Sequence, residues 1–208
     1  MNVSVVCAVM NRPYRVIPCL RSWVDLKIAD DVVVVDWSST KRVSDIIAEE
    51  EFNHSKLNVI RIDDQEKFNF GRAYNIAIDK CESDIVVKVD IDYILTNQIK
   101  LTEVISDINF DKQFLHGGGA GAHYLGFSCF DKTHGEIYNE NFNGYGYEDG
   151  DLYKRFQNIG LEKMIIPDIR EIFYHIPHDN RLRVQNFDVK DIAESTKINM
   201  QIADTNDE

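Results

Sequence analysis

No apolar run in this chain approaches the roughly 20 residues needed to span a bilayer. No basic leader precedes the opening segment M-N-V-S-V-V-C-A-V-M, so neither membrane spanning nor secretion is expected and the reading is a cytoplasmic protein. Cysteine is sparse: Cys7, Cys19, Cys81 and Cys129 are widely spaced and form no C-x-x-C pair, the pattern of a reduced chain rather than a disulfide framework. Positive charge is in deficit, with 23 Lys and Arg against 35 Asp and Glu and a formal net charge of -12. With no local basic patch, wrapping nucleic acid is excluded. The glycine-rich stretch 117–122, G-G-G-A-G-A, lacks the G-x-G-x-x-G spacing and is followed by no Lys-Ser or Lys-Thr pair, so it reads as a bend or a close backbone approach rather than a phosphate loop. Internal repeats are absent, and nothing before Val189 resembles a linker.

What is present suits one α/β domain. Of the 208 residues, 44% are hydrophobic and 28% charged, a globular balance with length enough for a large core. Short β-branched runs at 3–9, 31–36, 57–62 and 84–89 alternate with helical patterns at 14–27, 43–52 and 71–81. That alternation implies βαβ units and a mainly parallel central sheet flanked by helices. The second half reads as a helix at 101–108, strands near 113–116, 163–166 and 171–174, and a helix from about 151 to 158. Residues 1–188 are expected to form the domain, split into halves 1–92 and 93–188. The polar stretch 189–208 is expected as a tail, helical or frayed. Right-handed crossovers put the strand C-termini on one edge, where open α/β sheets bind ligands. Asn11, Arg12, Asp36, Ser38, Asp63, Asp64, Asp90 and Asp92 collect there.

Three constellations carry chemistry. V-V-K-V-D-I-D ends in Asp90 and Asp92, alternate positions that point to one side of a strand and can share a cation, or divide between a metal and a ribose. The bland alternative is a solvated strand end. N-F-N-G-Y-G-Y-E-D-G-D-L-Y-K-R-F, residues 141–156, puts Glu148 and Asp149 at a helix start, where the macrodipole favours ionised acids. Asp149 or Asp151 as a simple cap explains part of this. Tyr145 and Tyr147 offer faces for a sugar ring, Gly144 and Gly146 permit close backbone approach, and a carboxylate beside that platform can act as general base. F-Y-H-I-P-H-D-N-R, residues 173–181, sets His175 and His178 three apart around Pro177. One of them as a metal ligand is the favoured arrangement, and two would point to zinc.

With these pieces in order, the chain resembles a GT-A glycosyltransferase of the large inverting family that includes the chondroitin polymerases. Its second half is similar to the β-1,4-galactosyltransferases. The resemblance spans residues 3–181 and rests on V-D-I-D and, more specifically, on N-G-Y-G-Y-E-D-G-D-L-Y-K-R. Weaker support comes from V-V-V-V-D-W-S-S and F-G-R-A-Y-N-I-A-I. The resemblance implies a GT-A, Rossmann-like fold and an inverting hexosyltransferase that moves sugar from a UDP-sugar to a carbohydrate or glycolipid acceptor, in surface polysaccharide or glycolipid synthesis and with peripheral membrane association open. It implies Mn2+ or Mg2+, which would also ease the repulsion between an acidic protein and a diphosphate. Asp92 would bind the metal, with Asp90 near the ribose or the metal shell and His175 or His178 completing the site. Asp149 would be the base and Glu148 an aid to acceptor binding. Asp36 would contact uracil, with Ser38 beside it, Arg12 would lie in the base-binding loop, and Arg72 and Asn75 would line the donor pocket. Gly150 stands where the galactosyltransferases carry further acids, so no acceptor specificity is carried over. Rival readings are a sugar-1-phosphate nucleotidyltransferase, whose basic phosphate loop C-A-V-M-N-R-P-Y-R does not supply, a metal hydrolase using Asp90, Asp92, His175 and His178, and a non-catalytic lectin built on Trp37, Tyr145 and Tyr147.

Overall fold

The valine-rich runs near the N-terminus become strands covered on both faces, which is why they are apolar at nearly every position. In the computed structural model, which describes residues 1–118, 124–135, 137–187, 189 and 191–205, the first half runs β1 (Val3–Val9), α1 (Pro13–Val24), β2 (Ala29–Trp37), α2 (Val43–Glu49), β3 (Leu57–Ile62), α3 (Phe70–Asp79) and β4 (Ile85–Lys88). The second half adds β5 (Tyr93–Leu95), α4 (Gln98–Ser106), β6 (Gln113–His116), β7 (Ser128–Asp131), α5 (Glu148–Asn158), β8 (Glu162–Ile165), β9 (Phe173–His175), α6 (Asn180–Val184) and α7 (Ile192–Thr205).

Seven strands form one sheet in the order β3-β2-β1-β4-β7-β6-β8, and β5 pairs with β9 in a separate ribbon. β3, β2, β1 and β4 are parallel, as are β6 and β8, while β7 runs antiparallel to both its neighbours. Residue parity sorts the core. Val3, Val5, Cys7 and Val9 of β1 join Leu20 and Trp23 of α1 on one face, and Val6 and Ala8 join Tyr74 and Ala77 of α3 with Leu152 and Phe156 of α5 on the other. Among the described residues no helix is long and apolar enough to cross a membrane.

Differences from the sequence reading have local causes. β4 stops at Lys88, and a turn closed by Tyr93 N donating to Asp90 O leads at once into β5, a short strand paired to β9. α5 begins at Glu148 rather than near 151, because Tyr147 takes a left-handed φ of 78° and starts the helix early. Of the glycine stretch, Gly117 is a close approach: an added Cβ would lie 2.3 Å from Tyr124 O. Residues 119–122 lie outside the described residues. The stretch read as a polar tail, helical or frayed, holds the fourteen-residue helix α7.

Candidate active site

The β4–β5 turn separates the two acids of V-D-I-D. Asp90 faces the α3 and α5 side, where its Oδ1 lies 3.0 Å from Lys88 Nζ and accepts from the Tyr74 hydroxyl at 2.9 Å. Asp92 faces the other way, onto Arg15 of α1 and His178, whose Nε2 is 3.2 Å from Asp92 Oδ2. Alternation along an extended strand would have kept both acids together; the turn breaks it. One ligand atom each from Asp92, His175 and His178 lies within 4.8 Å of the others, a spacing that fits around a single cation, and Asp90 stands outside this cluster. Both histidines therefore face Asp92, where the sequence favoured one. Burial opposes ionisation of Asp92, but the His178 hydrogen bond and the Arg15 charge outweigh it and hold the carboxyl below its usual range. In return the bond to Asp92 raises the proton affinity of His178.

On the opposite wall Lys88 is fully buried, its ammonium 4.7 Å from the ring centres of both Phe70 and Tyr74. It spans Asp90 and Asp149, lying 3.3 Å from Asp149 Oδ1. Tyr138 donates to the same Asp149 oxygen at 3.0 Å. Burial would lower the Lys88 pKa, but Asp149 and Asp90 together raise it. Burial pushes Asp149 up, with Lys88 pulling against it. Glu148 is buried, accepts from Gly146 N at 2.9 Å, and is driven up to about 7, chiefly by burial. A carboxylate raised in this way is a stronger base than one in water.

Asp92 and Asp149, which had to share one cleft for the sequence reading to hold, line one cavity of about 490 Å3. Arg12, Asp90, Tyr145, Tyr147, Glu148, His175 and His178 line it too, a size ordinary for a small-molecule site.

Other expected residues lie elsewhere. Asp36 is buried with Arg61 at 2.9 Å and accepts from Ser39 N and Val43 N, so its oxygens hold the start of α2 and do not reach the cavity. Ser38 borders a separate open depression and bonds Ile62 O. Arg72 is exposed on α3. Asn75 is turned to the far side, where its amide clasps Tyr138 N and O at 3.0 and 2.8 Å; it reaches Asp149 only through Tyr138. Trp37, offered as part of a lectin surface, is 1% exposed and donates to Lys67 O.

The fold and this cavity set the context for the relatives. Residues 4–119, more than half of the chain, match the family model described as glycosyl transferase family 2. The chain belongs to glycosyl transferase family 2. Residues 108–179 match a second model, the N-terminal domain of galactosyltransferase. No curated protein matches. Solved structures of similar fold include the mannosyltransferase PcManGT from Pyrobaculum calidifontis in complex with GDP-Man and Mn2+, at 15% identity and a TM-score of 0.64 over 81% of this chain and 55% of that one. S. aureus TarS 1-349 in complex with UDP-GlcNAc gives 17% identity and 0.67 over 86% and 59%. Glucosyl-3-phosphoglycerate synthase from Mycobacterium tuberculosis, in complex with Mn2+, UDP and phosphoglyceric acid, gives 14% and 0.59 over 88% and 73%. The family 2 chain thus spans little more than half the length of the first two of these proteins. The shared architecture is the GT-A fold.

Sequence reasoning missed four cavity neighbours of this family 2 chain. Lys88 hides inside an apolar strand, where its parity with Asp90 was the available signal. Arg15 lies in the first turn of α1. Gly126 approaches so closely that a Cβ would sit 1.9 Å from Asp90 Oδ2. His116 accepts from Gly118 N at 3.1 Å and is pushed down to about 4, mainly by burial, so its imidazole is neutral at pH 7.

Proposed function

We propose that the protein is a metal-dependent, inverting glycosyltransferase that moves a sugar from a UDP-sugar onto a hydroxyl of a carbohydrate or glycolipid. One observation carries the reading: a candidate cation cluster, Asp92, His175 and His178, and a raised carboxylate, Asp149, line a single cavity in a family 2 chain. Two imidazoles and a carboxylate suit Mn2+ or zinc better than Mg2+, which prefers oxygen ligands throughout, and of the two Mn2+ is the ion bound in solved neighbours. Bound there, the ion would neutralise charge on the leaving diphosphate. Solved GT-A neighbours complexed with Mn2+ and with GDP-Man or UDP support the same assignment.

The chain's own residues supply the rest. Asp149 takes the proton of the acceptor hydroxyl as its oxygen bonds to the anomeric carbon. The bond from that carbon to the diphosphate oxygen breaks in the same step, its electron pair leaving with the nucleotide. Lys88 and Tyr138 hold Asp149 in place. Glu148 and the faces of Tyr145 and Tyr147 orient the acceptor, and Arg12 and Asp90 border the donor side. With Asp149 assigned to the acceptor proton, Glu148 to the acceptor, and Asp90 tied to Lys88 and Tyr74, the reading is a single displacement with inversion. A role in surface polysaccharide or glycolipid synthesis, with peripheral attachment to a membrane, accords with such an acceptor.

Thermal shift with UDP, with and without Mn2+, tests the donor half: a stabilisation that needs both supports it. Release of UDP from UDP-glucose, UDP-galactose and UDP-GlcNAc, measured with and without methyl glycosides as acceptors, tests transfer. Free sugar released at the same rate with no acceptor would make the protein a hydrolase instead.

A further inference from the structure

Both family matches end by residue 179, yet α7 begins at Ile192 and buries polar side chains against the loop that leads to Glu148 and Asp149. Asn199 has no exposed surface; its Oδ1 accepts from Asn143 N at 3.1 Å and its Nδ2 donates to Gly146 O at 2.8 Å. One turn earlier Ser195 Oγ accepts from Tyr145 N at 2.9 Å. Gly144 and Gly146 take φ of 81° and 105°, and a Cβ on either would lie 2.4 Å from Ser195 Oγ or 2.2 Å from Thr196 Oγ1. The two glycines let the loop lie directly on the helix, and Thr196 itself lines the cavity.

We propose that α7 is a clasp built onto the family domain: Ser195 and Asn199 are positioning residues that fix loop 143–147, and through it the acceptor-side Tyr145 and Tyr147 and the start of α5. A helix bearing a general base needs its first turn held in place, because misplacement by about 1 Å costs on the order of 100-fold in rate. An irregular loop supplies few hydrogen bonds of its own, and here four of its backbone groups, Asn143 N and O, Tyr145 N and Gly146 O, are bonded by α7 side chains. The hydrogen bonds that Ser195 and Asn199 make across to the domain run to loop 143–147 and none of them to β1, β4 or Asp92. Failure of the clasp should therefore divide the kinetics.

The proposal rests on the glycosyltransferase reading, and the test separates the two. Asn199→Leu keeps the branching and heavy-atom count of the side chain, with methyls bulkier than the amide, and removes both hydrogen bonds; Ser195→Ala is a milder second variant, and Ser195→Thr keeps the hydroxyl. Each is assayed with the nucleotide sugar and methyl glycoside that the wild-type protein turns over fastest, and UDP with Mn2+ is titrated by calorimetry. The expected result is a tenfold or greater loss of kcat/KM for the acceptor in Asn199→Leu, a smaller loss in Ser195→Ala, recovery in Ser195→Thr, and UDP affinity within twofold of wild type throughout. Acceptor kinetics unchanged in both Asn199→Leu and Ser195→Ala would overturn the clasp and leave the transfer reading standing. So would equal losses of UDP binding and acceptor kinetics, the mark of general unfolding. Absence of transfer by the wild-type protein would overturn both.

Discussion

Replacing Lys88 with Met strips one cation from a buried triad and leaves the hydrocarbon stem against Phe70 and Tyr74. At 3.0 Å from Asp90 and 3.3 Å from Asp149, each ion pair is worth roughly 5 kcal/mol of gross attraction at an effective dielectric of about 20. Most of that offsets the desolvation of the three ions. Asp90 is 36% exposed and Asp149 21%, so water screens the Asp90 contact more and Asp149 carries the larger share. Removing one partner of such a buried pair costs about 3–5 kcal/mol, a fall in Tm of roughly 10 °C for a chain of this size. The sign with pH follows from Asp149. Burial already raises its carboxyl, and without Lys88 the rise is larger, so the variant is penalised above the folded pKa and relieved as pH falls below the unfolded value. Urea denaturation should show the full deficit at pH 8 and a smaller one near pH 5, and adding Asp149→Asn to Lys88→Met should restore part of it. An unchanged urea midpoint at pH 8, or a deficit of equal size at both pH values with no rescue by Asp149→Asn, would refute the reasoning.

Other expectations follow from the same walls of the cavity. Asp149→Asn should lower transfer by at least 1,000-fold while UDP and Mn2+ binding, read by calorimetry, stays within about twofold, because base catalysis and diphosphate binding use different residues. Glu148→Gln should stabilise the protein at pH 8 by up to about 3 kcal/mol, since a carboxyl raised from 4.5 to about 7 loses its stabilising contribution as pH climbs through that range. The difference should vanish below pH 4.5 in thermal scans. His178→Ala should weaken Mn2+ affinity measured in the presence of UDP by tenfold or more. In the wild-type protein that affinity should decline as pH falls, because Asp92 strengthens the hold of His178 on a proton that the metal must displace.

The first half of the chain was legible because hydrophobic periodicity and β-branching act over short distances. β1 and β3 span the same residues in sequence and structure, and the valine run of β2 is buried on both faces. What was not legible depends on where the chain turns. Asp90 and Asp92 diverge because β4 ends two residues before the first of them, a choice made by the pairing of β5 with β9 across 80 residues of sequence. Lys88 carried only its parity with Asp90 as a signal, since its partners Asp90, Asp149, Phe70 and Tyr74 come from the β4–β5 turn, α5 and α3. Asp36 carries the sequence signature of a ligand-binding acid, but its oxygens are taken by the turn that starts α2 and by Arg61. α7 looks polar because its buried face holds Ser195 and Asn199, which bind backbone, and only the small Ala203 beside them. Hydropathy cannot distinguish such a face from solvent-exposed helix.

Transfer by this mechanism requires the cation cluster and the base to face each other across one cavity. Crystals grown with UDP and Mn2+, and measured at the manganese absorption edge, test this directly. The account predicts one anomalous peak coordinated by Asp92, His175 and His178, with the diphosphate on its cavity side and Asp149 facing the space beyond. A manganese peak on other residues, or UDP bound outside this cavity, would contradict it.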